Sequence, residues 1–326
     1  MAIAKLYWAI AALALALGGL RSPAHAQAAD FPIRPVRLIV PFAPGGGVDA
    51  VARIIAPKLG EIWGQSVVVE NKTGASGTLA SDYVAHQPAD GYAILIGVGG
   101  THATAQYLFH NLGYDPMRDF TGVTAVVYSP LICLVLASSP FRTMKDLVEF
   151  AKVNTVPFGS PGTGSQPHLI GEMLNLMYAT HFEHVAYRGV APATQDLLGG
   201  HIPMVMGEMG SAKPLIDSGQ LRALAVTGVK RNAAVPDVPT FSEAGYKIFD
   251  VNSFFGVFVP AATPKPIVDK IAATVTTVVR SPDMTARLAQ EGWEAGGGTP
   301  QEFTQFWLET TTELGHVIQE RHITIE

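Results

Sequence analysis

Short β-rich apolar runs alternate with helical patterns along this chain, and that alternation most limits the folds open to it. Val36–Val40, Ser66–Glu70 and Tyr92–Gly97 are strand-like runs that do not alternate between polar and apolar residues. Helical patterns lie between them, beginning at Asp49 and at Leu79. Strands without internal alternation, joined by helices, are typical of a parallel sheet covered on both faces. The sequence therefore predicts an α/β fold.

A second α/β unit is predicted after Pro130. His201–Met206 and Leu221–Thr227 resemble further buried strands, and Phe254–Val259 is interpreted as a strand that returns to the first unit. A chain of 326 residues usually forms two cores, so one lobe inserted into another fits this order. The expected lobes are residues 27–130 with 253–326 (lobe 1) and residues 131–252 (lobe 2).

Residues 1–26 are predicted to be a cleaved signal peptide. Lys5 supplies a positive start, Leu6–Leu20 is apolar but short for a membrane span, and Ala24–Ala26 places small residues at a cleavage site. An N-terminal anchor or a buried helix is the alternative interpretation. With cleavage, the mature protein is expected in the periplasm.

Composition argues against several classes of function. The chain is 48% hydrophobic and carries a formal charge of −5 without a block of Lys or Arg, so neither disorder nor nucleic-acid binding is expected. Its single cysteine, Cys133, lies in an apolar run and is expected to be an inert core residue. We expect no metal and no cofactor. We also expect no catalytic residue, because there is no G-x-S-x-G motif and no nucleophile stands beside a base.

The first glycine-rich turn, Pro44–Gly47, follows a strand and opens a helix. Gly45-x-Gly47-x-x-Ala50, trailed by Glu70, comes close to a dinucleotide-binding fingerprint. Pro41 and Pro44 flank the turn, and an exported protein has little access to nicotinamide cofactors, so we reject that interpretation. Backbone N–H groups at a helix N-terminus suit an anion, and a small carboxylate is the simplest ligand.

The second glycine-rich turn, Gly159–Ser165, repeats this arrangement in the second lobe. Ser160, Thr163 and Ser165 carry hydroxyls able to donate to an anion, and no Lys-Ser/Thr pair completes a Walker A loop. An ordinary turn capped by Ser165 is the alternative. Two such loops, one in each lobe, predict a clamp around one anion.

Two further side chains are candidates for the same site. His102 follows a strand end, where it is able to face a crevice, and Arg188 stands beside a glycine, within reach of a carboxylate. Each is equally interpretable as a surface residue.

The chain resembles the Bug receptors, the periplasmic substrate-binding proteins of tripartite tricarboxylate transporters. The resemblance runs from Phe31 to the C-terminal helix. It is carried by Ile39–Gly46 with Asp49, Val68–Asn71, Gly74–Thr78, Pro88–Tyr92, Gly159–Ser165 with His168, Tyr187–Gly189, Leu221–Thr227, Pro236–Thr240 and Glu243–Tyr246.

The resemblance implies a two-lobed α/β periplasmic-binding-protein fold of type II, the Venus-flytrap architecture, closing on a small organic mono- or dicarboxylate. It implies a receptor rather than an enzyme, expected to be monomeric, that docks on the membrane permease subunits of its transporter. Asp49 is implied to orient water or meet a ligand amine. The predicted ligand-binding residues are Phe42, Ala43, Pro44, Gly45, Gly46, Asp49, Thr101, His102, Ser160, Gly162, Thr163, Gly164, Ser165, His168, Tyr187, Arg188, Gly189 and Glu208.

Three positions depart from the usual family pattern: Thr104–Gln106, Gly207–Met209 and Phe254. We expect these positions at the edge of the pocket, where they affect which ligand fits. Two alternative functions remain open at this point. One is an exported carboxylate-processing hydrolase on the same fold, and the other is a ligand sensor for a membrane signalling protein.

Overall fold

The computed structural model describes residues 30–45, 47–187, 189–247 and 252–324. The predicted signal peptide and the candidate site residues Gly46 and Arg188 lie outside the described residues. In the described part of the chain, no helix combines the length and apolar character needed to cross a membrane.

The first sheet has six strands in the order β11-β4-β10-β3-β1-β2. Strands β1, β2, β3 and β4 run in one direction, whereas β10 and β11 run in the other. The parallel arrangement is confirmed for β1, β2 and β3, the strands from which it was predicted. The strands are β1 (Val36–Val40), β2 (Val67–Asn71), β3 (Ala93–Val98), β4 (Phe120–Ser129), β10 (Ser253–Pro260) and β11 (Glu294–Ala295).

The second sheet has five strands in the order β7-β6-β8-β5-β9. Its strands β6, β7 and β8 are parallel, and β5 runs antiparallel to both β8 and β9. The strands are β5 (Leu131–Leu136), β6 (Val156–Ser160), β7 (Phe182–Ala186), β8 (Met204–Glu208) and β9 (Leu221–Val226).

The reversed directions of β5 and β10 have a common physical cause. Only Pro130 separates β4 in the first sheet from β5 in the second, and β10 rejoins the first sheet after the chain leaves β9. Each returning strand starts at the edge where the previous sheet ended, so it runs against its neighbours. The carboxyl ends of the other strands therefore meet at that edge, beside the starts of β5 and β10.

Helices connect the strands. The helix after β1 begins at Gly47, and Thr143 caps a later helix through a capping box with Asp146. The helices are α1 (Gly47–Trp63), α2 (Thr78–Ala85), α3 (Ala105–Leu108), α4 (Pro116–Asp119), α5 (Met144–Ala151), α6 (Gln166–Tyr178), α7 (Val190–Leu198), α8 (Met209–Asp217), α9 (Lys265–Val279), α10 (Pro282–Gln290) and α11 (Pro300–Glu320), with a 3₁₀ turn at Ala75–Gly77 and a π-helical turn at Gly100–Thr104.

Cys133 lies in β5 and is fully buried, and burial raises the pKa of its thiol. A thiol held in its neutral form is a poor nucleophile. The prediction that Cys133 is a core residue is confirmed.

Candidate functional site

A cavity of about 880 Å³ lies where the carboxyl ends of the strands of both sheets meet. Its walls come from both sheets: Val98 ends β3 and Phe255 lies in β10, while Ala186 ends β7 and Glu208 ends β8. The volume falls within the range of small-molecule sites in proteins, which is roughly 300–1,000 Å³. Ligand sites in open α/β sheets usually lie outside the carboxyl ends of the strands.

The first glycine-rich loop reaches this cavity with only part of its length. Phe42 and Gly47 line the cavity, together with Val48 in the first turn of α1. Ala43 to Gly45 are exposed and do not line it. The loop therefore presents one aromatic ring and the start of a helix to a ligand.

Asp49 does not line the cavity, and its side chain stabilises the first loop through hydrogen bonds. Its buried carboxylate accepts hydrogen bonds from the Gly45 backbone N–H at 2.9 Å, from Arg53 Nε at 2.9 Å and from Asn71 Nδ2 at 2.8 Å. The hydrogen bond from Arg53 is the main reason that the pKa of Asp49 falls from 3.8 to about 2. The Asp49 carboxylate therefore holds together the first loop, α1 and the end of β2.

The second glycine-rich loop contributes a continuous stretch of the cavity wall, Gly162–Ser165. Ser165 caps α6: its Oγ donates to the Gly162 carbonyl at 2.7 Å and accepts from the His168 backbone N–H at 3.4 Å. Gly162 and Gly164 have φ values of +145° and +75°, which L side chains rarely adopt. The loop therefore holds a tight shape, in which the Gly162 N–H donates to Ser160 Oγ and the Gly164 N–H donates to His168 Nδ1.

Behind this loop lies a pair of histidines that do not line the cavity. The rings of His168 and His184 are stacked with their centroids 3.7 Å apart. His168 Nδ1 accepts from the Gly164 backbone N–H at 3.0 Å, and His184 Nε2 lies 2.7 Å from the Oγ of the buried Ser160. Burial is the main reason that the pKa of His184 falls to about 4. Ser160 and His168 are thus placed behind the second loop, where they support its backbone.

The structure does not bring His102 or Thr101 to the cavity, and this corrects the expectation that His102 faces a crevice. The His102 ring is fully buried and stacks on Phe258 with the centroids 3.9 Å apart. Its Nδ1 lies 2.8 Å from Thr101 Oγ1, and burial lowers its pKa to about 3. The π-helical turn after β3 rotates these two side chains into the core. That rotation exposes Gly99, Gly100 and Thr104 to the cavity instead.

Tyr187, Gly189 and Glu208 line the cavity. The Tyr187 hydroxyl donates to Asp196 Oδ2 at 2.7 Å, and burial together with this carboxylate raises the pKa of Tyr187 to about 12. Removal from water raises the pKa of Glu208, while a hydrogen bond with Ser253 acts in the opposite direction.

Only some of the positions that depart from the usual family pattern lie at the cavity. Thr104 and Glu208 line it, but Phe254 is buried between Phe303 and Phe306. The expectation that Phe254 lies at the pocket edge is therefore wrong, because β10 points its neighbour Phe255 to that face.

Sequence reasoning missed several lining residues. Gln166 packs its amide against Gly99, where an added Cβ would collide with Gln166 Oε1, and Thr104 Oγ1 donates to the Gly164 carbonyl at 3.3 Å. These contacts join the turn after β3 to the second loop. The sequence signal that indicates this part of the cavity wall is the pair Gly99-Gly100, which follows the end of β3. The other missed positions are Ser76, Val98, Leu108, Phe109, Pro167, Ala186, Val190, Ser253 and Phe255.

The described lining residues offer hydrogen-bond donors from hydroxyl and amide side chains. Within the described ranges, no group of three His, Cys, Asp or Glu residues is arranged to hold a metal ion. Hydroxyls and backbone amides at two helix N-termini are suited to binding an anion.

A two-sheet α/β architecture with one cavity between its strand ends is that of a periplasmic solute-binding receptor. Solved structures with this fold cover nearly the whole chain. "R. palustris Rpa4515 with adipate" is 36% identical with a TM-score of 0.80, covering 90% of this chain and 100% of that one. "MatC (Rpa3494) from Rhodopseudomonas palustris with bound malate" is 32% identical with a TM-score of 0.75, covering 88% and 100%.

Residues 51–323 match the family described as "Tripartite tricarboxylate transporter family receptor". Among its curated relatives is a UPF0065 protein from the tcbD-tcbE intergenic region of Pseudomonas sp. (strain P51), 36% identical over 94% of this chain and 92% of that protein. Protein BugT of Bordetella pertussis (strain Tohama I) is 30% identical over 96% of each chain. The chain belongs to the tripartite tricarboxylate transporter receptor family, and the resemblance to Bug receptors is confirmed. Receptors of this family are periplasmic binding proteins rather than enzymes.

Proposed function

We propose that this receptor captures a small organic carboxylate between two lobes and delivers it to the membrane permease subunits of a tripartite transporter. One observation carries the proposal. Two glycine-rich loops, one from each sheet, face a single cavity, and each leads into a helix N-terminus, at Gly47 and at Gln166. Such ends favour negative charge because their backbone N–H groups have no partner within the helix.

The relatives support the same class of ligand. The two neighbouring structures are named with adipate and with malate, which are both carboxylates. The two glycine-rich loops of this chain carry sequence motifs of the receptor family, and those motifs are the reason for expecting a carboxylate ligand. The second loop lines the cavity over Gly162–Ser165.

The lobes belong to this proposal. Residues 27–130 with 253–326 form one lobe around the first sheet, and residues 131–252 form the other around the second. Residues 1–26 direct export to the periplasm, and the mature receptor is a monomer. A ligand that touches both loops favours the closed arrangement of the lobes through its contacts with each.

Thermal unfolding of the mature protein, residues 27–326, against a ligand panel tests the proposal. The panel holds aliphatic and aromatic mono- and dicarboxylates, acidic amino acids, a neutral sugar and NAD. A ligand at about 100 times its Kd adds roughly 2.7 kcal/mol of stability, so we expect at least one carboxylate to raise Tm measurably. A shift with sugar or NAD alone, or no shift with any carboxylate at millimolar concentration, contradicts the proposal.

A matched pair of variants localises the site. Thr163 is exposed on the second loop at the cavity, whereas Thr312 is exposed on α11 away from it. We expect Thr163→Ala to weaken binding of the stabilising carboxylate, because it removes a hydroxyl from the cavity wall. Thr312→Ala should leave that affinity unchanged. Equal affinities for the two variants would argue against this loop as a ligand contact.

A further inference from the structure

A chain of polar contacts runs from the second glycine-rich loop to the residue that follows α11. His168 Nδ1 accepts from the Gly164 backbone N–H at 3.0 Å, and His168 Nε2 lies 3.7 Å from Glu172 Oε1. The other carboxylate oxygen, Glu172 Oε2, accepts from Arg321 Nε at 2.6 Å. We call His168, Glu172 and Arg321 the α6 relay. All three lie outside the cavity wall, so any effect that they have on a ligand passes through the loop.

Burial makes the α6 relay sensitive to the loss of any member. His168 and Glu172 are four residues apart on α6, so their side chains share one face of the helix, and they are only 4% and 7% exposed. Burial raises the pKa of Glu172, but its contacts with His168 and Arg321 act in the opposite direction and bring the pKa to about 2. Glu172 is therefore a buried carboxylate at neutral pH, and Arg321 supplies the compensating positive charge.

The hydrogen bond to the loop requires one particular form of His168. Nδ1 accepts from an N–H group, so it carries no proton, and the neutral ring holds its proton on Nε2. Nε2 is the nitrogen that faces Glu172. A carboxylate beside one ring nitrogen favours a proton at that nitrogen and leaves the other nitrogen able to accept. Glu172 thus maintains the form of His168 that holds the Gly164 N–H.

The α6 relay connects elements that pack on different sheets. Arg321 follows α11, which packs against β4 of the first sheet, whereas α6 packs against strands of the second sheet. The Gly164 carbonyl also has a partner from the first sheet's side, because Thr104 Oγ1 in the turn after β3 donates to it at 3.3 Å. Both backbone groups of Gly164 therefore depend on residues from outside the second sheet's own unit. A loop that is fixed before the ligand arrives loses less conformational entropy on binding.

We propose that Arg321 is a positioning residue for ligand binding, which acts through Glu172 and His168 to hold Gly164 in the conformation that the ligand requires. The inference rests on the proposed function, because the second loop must contact the ligand. Without Arg321, the buried Glu172 carboxylate turns towards water or draws a second proton onto His168. Either change weakens the hydrogen bond from the Gly164 N–H, and the loosened loop binds the ligand less tightly.

Calorimetry with the carboxylate identified in the panel, together with urea unfolding without ligand, tests the inference on the mature protein. Arg321→Gln should weaken binding by a factor of about three to ten. Arg321→Lys should restore most of the affinity, because the contact uses a single nitrogen and the ammonium group keeps the charge.

Arg231→Gln is the matched control. Arg231 Nε donates to Glu243 Oε2 at 2.7 Å in an ion pair on the surface, and neither residue lines the cavity. This variant loses an ion pair of the same kind as Arg321→Gln does, and it should keep the wild-type affinity.

Nitrogen NMR of isotope-labelled histidine rings follows the proposed route in the ligand-free protein. The wild-type His168 ring should hold its proton on Nε2 and leave Nδ1 unprotonated, and the signal that is missing from His168→Asn assigns this ring. The population of this form should fall in Arg321→Gln and remain unchanged in Arg231→Gln.

Equal affinities for Arg321→Gln and Arg231→Gln overturn the inference even if Arg321→Gln is less stable, because a purely structural ion pair affects unfolding alone. An unchanged His168 ring in Arg321→Gln also overturns it, since the route through His168 is then absent. If a carboxylate binds but either result appears, only the inference fails. If the wild-type protein binds no carboxylate, the proposed function fails and the inference fails with it.

Discussion

Replacing Ser165 with Ala tests whether the second loop is a binding element or only a helix cap. In the structure Ser165 Oγ does two things: it donates to the Gly162 carbonyl at 2.7 Å, and it accepts from the His168 backbone N–H at the start of α6. The residue also lines the cavity. Its loss should therefore lower both the stability of the fold and the affinity for ligand.

The two effects have different sizes. Loss of an N-cap costs about 1 kcal/mol of stability. The Gly162 carbonyl does not lose every donor, because Ser160 Oγ also lies 3.1 Å from it, so the cost to the fold should stay near that figure. For the bound carboxylate, the loosened loop should cost about 1–2 kcal/mol of binding free energy, which weakens binding by a factor of about 5 to 30.

Urea unfolding without ligand and calorimetry with the carboxylate from the panel separate the two effects. Thr143→Ala is the control, because Thr143 caps α5 in the same way but does not line the cavity. Both variants should lose similar stability, and only Ser165→Ala should lose affinity. If Ser165→Ala binds as tightly as Thr143→Ala, the hydroxyl belongs to the helix alone and our reasoning about the loop is refuted.

Two further predictions concern buried carboxylates. The pKa of Asp49 is lowered to about 2, mainly by the hydrogen bond from Arg53. Asp49→Asn should therefore lower the free energy of unfolding by about 1–3 kcal/mol at pH 7. The difference in the free energy of unfolding between wild type and variant should persist down to about pH 4 and shrink towards pH 2. Urea unfolding across this pH range measures it. A difference that is independent of pH would contradict the prediction. Arg321 Nε lies 2.6 Å from Glu172 Oε2 and joins the C-terminal end of the chain to α6, so Arg321→Gln should lower Tm by a few degrees in low salt. An equal Tm for the variant and the wild type would show that the pair adds nothing.

Local sequence predicted much of the fold because local physics decides it. The β-branched run Val36–Val40 forms a strand with those bounds. The second turn places Gly162–Ser165 at the cavity, since positive φ values at its glycines suit a tight loop before a helix. The same reasoning predicted that β10 returns to the first sheet but gave no direction for it, because direction depends on where the chain re-enters the sheet.

His102 illustrates which features of the site could be predicted from sequence and which could not. Its place after β3 was recognised, but the side on which its ring falls depends on the π-helical turn and on Phe258 in a distant strand. Asp49 likewise matched a family motif, yet its carboxylate serves its own loop. A side chain's direction follows from packing against residues far away in the sequence.

What the sequence determined by itself is therefore the α/β alternation, the glycine loops and the family. Periodicity, helix caps and glycine backbone freedom act over a few residues, so they can be inferred without the fold. The tertiary structure alone decided that two loops and the carboxyl of Glu208 share one cavity while His102 does not. These groups are far apart along the chain, and only the meeting of strand ends from two sheets brings them together.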